Sequence, residues 1–184
     1  MKRKYPKLTF FLLTFLIGGI LFYETRTYPP FHDFLVSLEL LGIFLGGVFY
    51  SYGFTSAPST AVLLVLAKEQ NIIAAGIIGG MGALLSDTFI FLFIRHTFMD
   101  EVEKLKKEKI IMNINGMIKK KFRPFDKYLI PVLASFLIAS PLPTEMGVTL
   151  MASYKNMSVN KFILLAFILH TIGIFTILYI GTLI

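Results

Sequence analysis

The chain holds 184 residues, of which 55% are hydrophobic and only 16% charged. A soluble domain carries about 25% charged residues, so an ordinary water-soluble globule is excluded; 19 Phe and 8 Tyr with so little charge also exclude a disordered chain. With no Cys, there can be no disulfide, thiolate metal site, iron–sulfur cluster or cysteine nucleophile. The formal net charge of +7 is clustered. Lys2, Arg3, Lys4 and Lys7 open the chain, and nine more Lys/Arg fall between Asp100 and Tyr128. Basic clusters flanking apolar runs are the positive-inside pattern of a polytopic membrane protein. Nucleic acid is not expected as a partner, because no nucleic-acid-binding motif accompanies the charge.

The first run, 8–23, follows the basic tip and is read as a transmembrane helix. A cleaved signal peptide is the competing reading, but Tyr23, Glu24, Thr25 and Arg26 close the run without a small-x-small cleavage site. Tyr5 and Tyr23 can sit at the two interfaces. The second run, 34–67, is interrupted by Ser56, Ala57, Pro58, Ser59 and Thr60. Proline lacks an amide and disfavours helix in the residue before it, whereas Ser59 and Thr60 suit a new helix start. The piece after the break is too short to cross, so the run is read as a re-entrant hairpin.

The third run, 72–94, is long enough to span. Gly76 and Gly80 form a GxxxG pair that admits a close helix neighbour. Between 100 and 128 the chain is polar and basic, with Ile111, Ile114, Ile118, Phe122 and Phe125 on one helical face. Two readings are open there: an amphipathic helix on an anionic membrane surface, or a soluble helix packed on the rest of the protein. The fourth run, 129–154, is broken at Ser140, Pro141, Pro143, Thr144 and Glu145, giving a second hairpin. The last run, 162–184, spans once.

A shift of 85 residues lays Pro58, Ser59 and Thr60 on Pro143, Thr144 and Glu145, and Asn71 on Asn156. Such weak internal repeats mark many transporter folds. If the basic N-terminus and residues 95–128 are both cytoplasmic, hairpin 34–67 enters from outside and hairpin 129–154 from the cytoplasm. The repeats are then inverted and the C-terminus is outside. The expected fold is one all-α membrane domain over 1–184: three transmembrane helices, two inverted Pro-broken re-entrant hairpins and a basic amphipathic surface helix.

Broken helices within a bilayer must be buried in protein or line a cavity, and their N-termini favour anions. The candidate pathway therefore lies between 56–60 and 140–145. Ionisable residues inside apolar runs are functional hypotheses by default: Asp87, Glu145 and His170 can meet in one polar cavity and exchange protons. Structural explanations stand beside these: a structural pair for Asp87, a helix-start charge for Glu145, a packed neutral ring for His170. Glu39 can sit at the outer interface. No His/carboxylate spacing suggests a metal, and no cofactor is expected.

The stretch 53–95 resembles the DedA / VTT-domain (SNARE-associated Golgi protein) family. The resemblance is carried by the Pro break, by Gly82, Ala83, Leu84, Leu85, Ser86 and Asp87, and by the later Arg95. The Pro-broken second half resembles it too. What the resemblance implies is two opposed re-entrant hairpins and movement of phospholipids or polyprenyl-phosphate carriers between leaflets, often linked to proton gradients. It carries Asp87 and Arg95 into the pathway and points to a plasma-membrane scramblase. Membrane lipids are the expected partners, with anionic headgroups at the basic loop; homo-oligomerisation is open. The competing classes are a small proton- or ion-coupled transporter or channel, and a non-transporting assembly subunit. An enzyme is not expected, because no nucleophile–base constellation is present.

Overall fold

The computed structural model describes residues 6–98, 126–139, 144–154 and 157–184; of 6–11, 26, 98 and 126–130 only the backbone is described. The basic amphipathic segment read over 100–128 lies outside the described residues apart from its last three positions. Every regular element described is helical: α1 (Pro6–Thr27), α2 (Pro29–Ser37), α3 (Glu39–Tyr50), α4 (Ser56–Leu66), α5 (Ile72–Phe93) continued by a π-helical turn (Ile94–Phe98), α6 (Asp126–Ala139), α7 (Thr144–Ala152) and α8 (Val159–Leu183). Two stretches, Ile72–Thr97 and Val159–Leu183, are long and apolar enough to cross a membrane; counting the bent pair α2 and α3 as one span makes three. The described apolar part of α1 is shorter, Leu12–Thr25.

Both long helices start on a side-chain cap. Asn71 Oδ1 accepts the amides of Ile73 at 3.0 Å and Ala74 at 3.1 Å, and Ser158 Oγ accepts that of Lys161 at 3.3 Å. Each cap satisfies amides that the first turn leaves without partners. The two helices run antiparallel. Gly76 lies against Phe175, Gly80 against Thr171, and the rings of Phe91 and Phe162 stack 4.1 Å apart.

The apolar run 34–67 contains two changes of direction. Between α2 and α3 the chain turns by 92° at Glu39, whose φ of +48° is the left-handed conformation that non-glycine residues rarely adopt. The second change falls at 51–55, just before the 56–60 stretch where the sequence reading places the break. The amides of Thr55 and Ser56 both bond to the Tyr52 carbonyl, and α4 is helical from Ser56. Pro58 therefore sits in the first turn, where its missing amide costs nothing.

Arms α3 and α4 lie antiparallel, Gly42 beside Leu66 and Gly46 beside Leu63. With 12 and 11 residues at 1.5 Å each they reach ~17–18 Å, well short of the ~30 Å apolar thickness of a bilayer. Arms α6 and α7, of 14 and 9 residues, pack together with Gly147 against the Ala134 carbonyl and Ile138.

The hairpin-plus-long-helix unit occurs twice. Adding 85 carries Ile72–Phe93 onto 157–178, inside or next to α8, and carries α4 onto α7. The packing has the same exchange symmetry. Each long helix lies on the first arm of its own hairpin and on the second arm of the other: α5 on α3 and α7, α8 on α6 and α4. Two apolar clusters result, one built around Ile43, Leu63, Leu66 and Leu178, the other around Phe91, Ile138, Met151 and Phe162. The site lies between them.

Candidate functional site

Asp87 stands in the second half of α5 and His170 near the middle of α8, where the antiparallel helices cross. Both side chains are fully buried, and His170 Nε2 lies 2.7 Å from Asp87 Oδ2. Among the described residues no Lys or Arg pairs with Asp87. The contact gives each buried ionisable group a hydrogen-bonding partner, which an apolar interior requires of such groups.

The 51–53 turn between α3 and α4 and the start of α7 meet beside this pair. Thr144, the first residue of α7, donates its hydroxyl to the Ser51 carbonyl and lies 3.4 Å from Asp87 Oδ1. Its neighbour Glu145 accepts the Gly53 amide at 2.7 Å through Oε1. Ser51 in turn donates to the Ala83 carbonyl of α5 at 3.0 Å. The ring of Tyr50, also fully buried, meets His170 edge-on at 6.2 Å. Among the described residues, the 51–53 turn and the start of α7 are thus joined directly by hydrogen bonds; residues 140–143 of the expected cavity wall lie outside the described residues.

No protein-family model matches the chain, and no curated protein or solved structure does either. The site is therefore interpreted from its own chemistry. Five buried polar atoms have no hydrogen-bond partner among the described residues, all on residues of the pair, beside them in sequence or at the contacts just described: Tyr50 Oη, Ser86 Oγ, Glu145 Oε2, His170 Nδ1 and Thr171 Oγ1. Buried polar atoms are nearly always satisfied, so this concentration marks a place suited to water or another small polar guest. Among the described residues no group of three or more His, Asp or Glu side chains could hold a metal.

The remaining candidates fall elsewhere. Ser59 donates to the Gly46 carbonyl, Thr60 to Ser56 at 2.7 Å, and Ser56 to Gly53 at 3.2 Å; the hydroxyls of Ser59 and Thr60 stitch hairpin backbone and do not reach Asp87. Pro58 lies under α1, with Gly18 against its nitrogen. Arg95 bonds the Met157 carbonyl and lies over the Phe91 ring at 5.3 Å. It ties the end of α5 to the start of α8, about two helical turns from Asp87. Ser140, Pro141 and Pro143 lie outside the described residues. Sequence reasoning missed Tyr50, Ser51 and Gly53, although the polar tetrad Tyr50, Ser51, Tyr52 and Gly53 directly after an apolar run is a turn signal.

Proposed function

We propose that this chain is an integral membrane lipid translocase of the DedA/VTT type, moving phospholipid or polyprenyl-phosphate headgroups between leaflets, with Asp87 and His170 as its proton-exchanging centre. In this reading α1, α5 and α8 span the membrane, while α3–α4 and α6–α7 are re-entrant hairpins entering from outside and from the cytoplasm. The N-terminus and residues 95–128 are cytoplasmic, where the basic loop meets anionic headgroups, and the C-terminus is outside. The setting is the plasma membrane, and the protein is a carrier, not an enzyme.

One observation supports the reading: the 51–53 turn is hydrogen-bonded to Thr144 and Glu145 beside a buried acid–base pair at the crossing of two antiparallel apolar helices. Opening the tips would expose the first-turn amides of α4 and α7, which favour phosphate, together with the hydroxyls of Ser56 and Thr144. Protonation of the pair or of Glu145 would alter the charge beside the tip contacts and so bias closure.

The experiment is leaflet exchange of fluorescent phospholipids in vesicles holding the purified protein. The wild type should accelerate exchange, and Asp87→Asn should lose most of that acceleration while remaining folded. Full activity in Asp87→Asn would remove Asp87 from the mechanism.

A second reading, a proton- or ion-coupled transporter of a small solute, is favoured by the absence of any Lys or Arg side chain at the tips among the described residues, since a phosphate would find only neutral donors there. Vesicle acidification without lipid exchange would select it. Neither flux would leave an assembly subunit.

A further inference from the structure

A second site lies away from the tips, on the flank where α1 crosses α4. Gly18 makes the crossing: a Cβ there would lie 2.9 Å from the Ala57 carbonyl carbon and 3.2 Å from the Pro58 nitrogen. Gly19, the next residue, is different. Nothing lies within 4 Å of where its side chain would start. A mid-helix glycine costs about 1 kcal/mol relative to alanine, and no packing requirement explains this one.

Its missing side chain helps to open a crevice of ≈ 430 Å³ bounded by Gly18, Gly19, Ala57 and Ala61. Phe22 and Leu64 form the far end of this crevice and also wall a smaller recess of ≈ 80 Å³, which His32, Lys68 and Glu69 line. From Ala57 to Leu64 the helix advances ~10 Å. Apart from Thr60, whose hydroxyl is taken by the Ser56 carbonyl, the crevice is lined by apolar residues and glycine, and the adjoining recess is charged, the profile of a membrane amphiphile.

The mouth carries both signs of charge. Lys68 and Glu69 are exposed, and neither forms an ion pair among the described residues; His32 Nδ1 lies 3.5 Å from Asp33 Oδ1. A headgroup with only negative charge would meet Glu69 and Asp33 unfavourably, and an uncharged sterol would engage neither Lys68 nor Glu69. We infer that the α1/α4 crevice holds an acyl chain of a zwitterionic phospholipid, with the phosphate on Lys68 and His32 and the ammonium group on Glu69. The inference goes beyond the transport reading, because a lipid can be held here without crossing, and none of these residues touches Asp87 or His170.

The chain has no Trp, so Phe22→Trp places a single fluorescent reporter in the shared wall. It is compared in vesicles of phosphatidylethanolamine and phosphatidylglycerol at equal mole fractions, with bromine quenchers on the chains of one lipid or the other. Quenching by brominated phosphatidylethanolamine should be several-fold stronger. Lys68→Ala with Glu69→Ala should erase the difference, and Gly19→Leu, whose added side chain enters open space, should lower the ethanolamine-lipid quenching with helical circular dichroism unchanged. Equal quenching by the two lipids, stronger quenching by phosphatidylglycerol, or a preference that survives both sets of substitutions would overturn the inference. Loss of leaflet exchange with this preference intact would count against the transport reading alone.

Discussion

At the level of single residues, the stability of the site hinges on Asp87 and His170 being present together. Removing one partner of a buried pair leaves an uncompensated polar or charged group, a loss of ~3–5 kcal/mol, whereas replacing both with apolar side chains of similar size is often close to neutral. His170→Ala should therefore destabilise the protein by about 3 kcal/mol, and Asp87→Leu with His170→Leu should restore much of that. Unfolding in mixed micelles of these variants and of the singles Asp87→Leu and His170→Leu measures both; a Leu/Leu double variant as unstable as the sum of its two Leu singles would mean that the two residues are not coupled. Asp87 could be picked out from sequence because a carboxylate inside 72–94 has no cheap explanation, and His170 stood out in the same way within 162–184. Thr144 was named for its place beside a proline break. Its hydroxyl contact with Ser51, like the edge-on ring of Tyr50, exists only because distant segments approach. Hydroxyl residues occur throughout apolar helices, so nothing local distinguishes these.

The elements owe their closeness to glycine at particular crossings. Side chains at Gly47 and Gly82 would run into the carbonyls of Gly79 and Phe44, respectively, so α3 and α5 are in backbone contact. Gly47→Leu should prevent α3 from seating and abolish recovery of monodisperse protein. Gly19→Ala, on an open face, should be neutral or stabilising by up to ~1 kcal/mol. Thermal stability and gel-filtration profile separate the two; tolerance of Gly47→Leu would contradict the α3–α5 packing described here. GxxxG at Gly76 and Gly80 signalled a close neighbour, although not which one; α8 fills that place. The position of the first break was misjudged for a definite reason. Proline obstructs a helix only where an amide and a carbonyl four residues back must pair, and in the first turn of α4 there is no such bond to lose. The true turn is set by the Tyr52 carbonyl collecting two amides, and its only local announcement is the short polar stretch ending at Gly53.

For the whole molecule, the exchange symmetry is what gives the site its location. Two units that each bury one arm against the other's long helix bring the 51–53 turn and the start of α7 to the same crossing, so a polar centre arises where two apolar clusters end. The 85-residue offset was visible through Pro58, Pro143 and the matching spans, whereas the inverted relation of the repeats rests on the placement of the basic clusters. The contact of 51–53 with Thr144 and Glu145 was not visible, because it joins residues 92 and 93 positions apart in the chain. The central claim is that α3–α4 enters and leaves one face of the membrane while α5 and α8 carry the chain across. Single cysteines in the Cys-free chain, at exposed Ser37, Lys68 and Asn160, test it with a membrane-impermeant thiol reagent applied to intact cells and to inverted vesicles. Ser37→Cys and Lys68→Cys should be labelled from the same side and Asn160→Cys from the opposite one. Labelling of Ser37→Cys and Lys68→Cys from opposite sides would make α3–α4 a crossing segment and contradict the account.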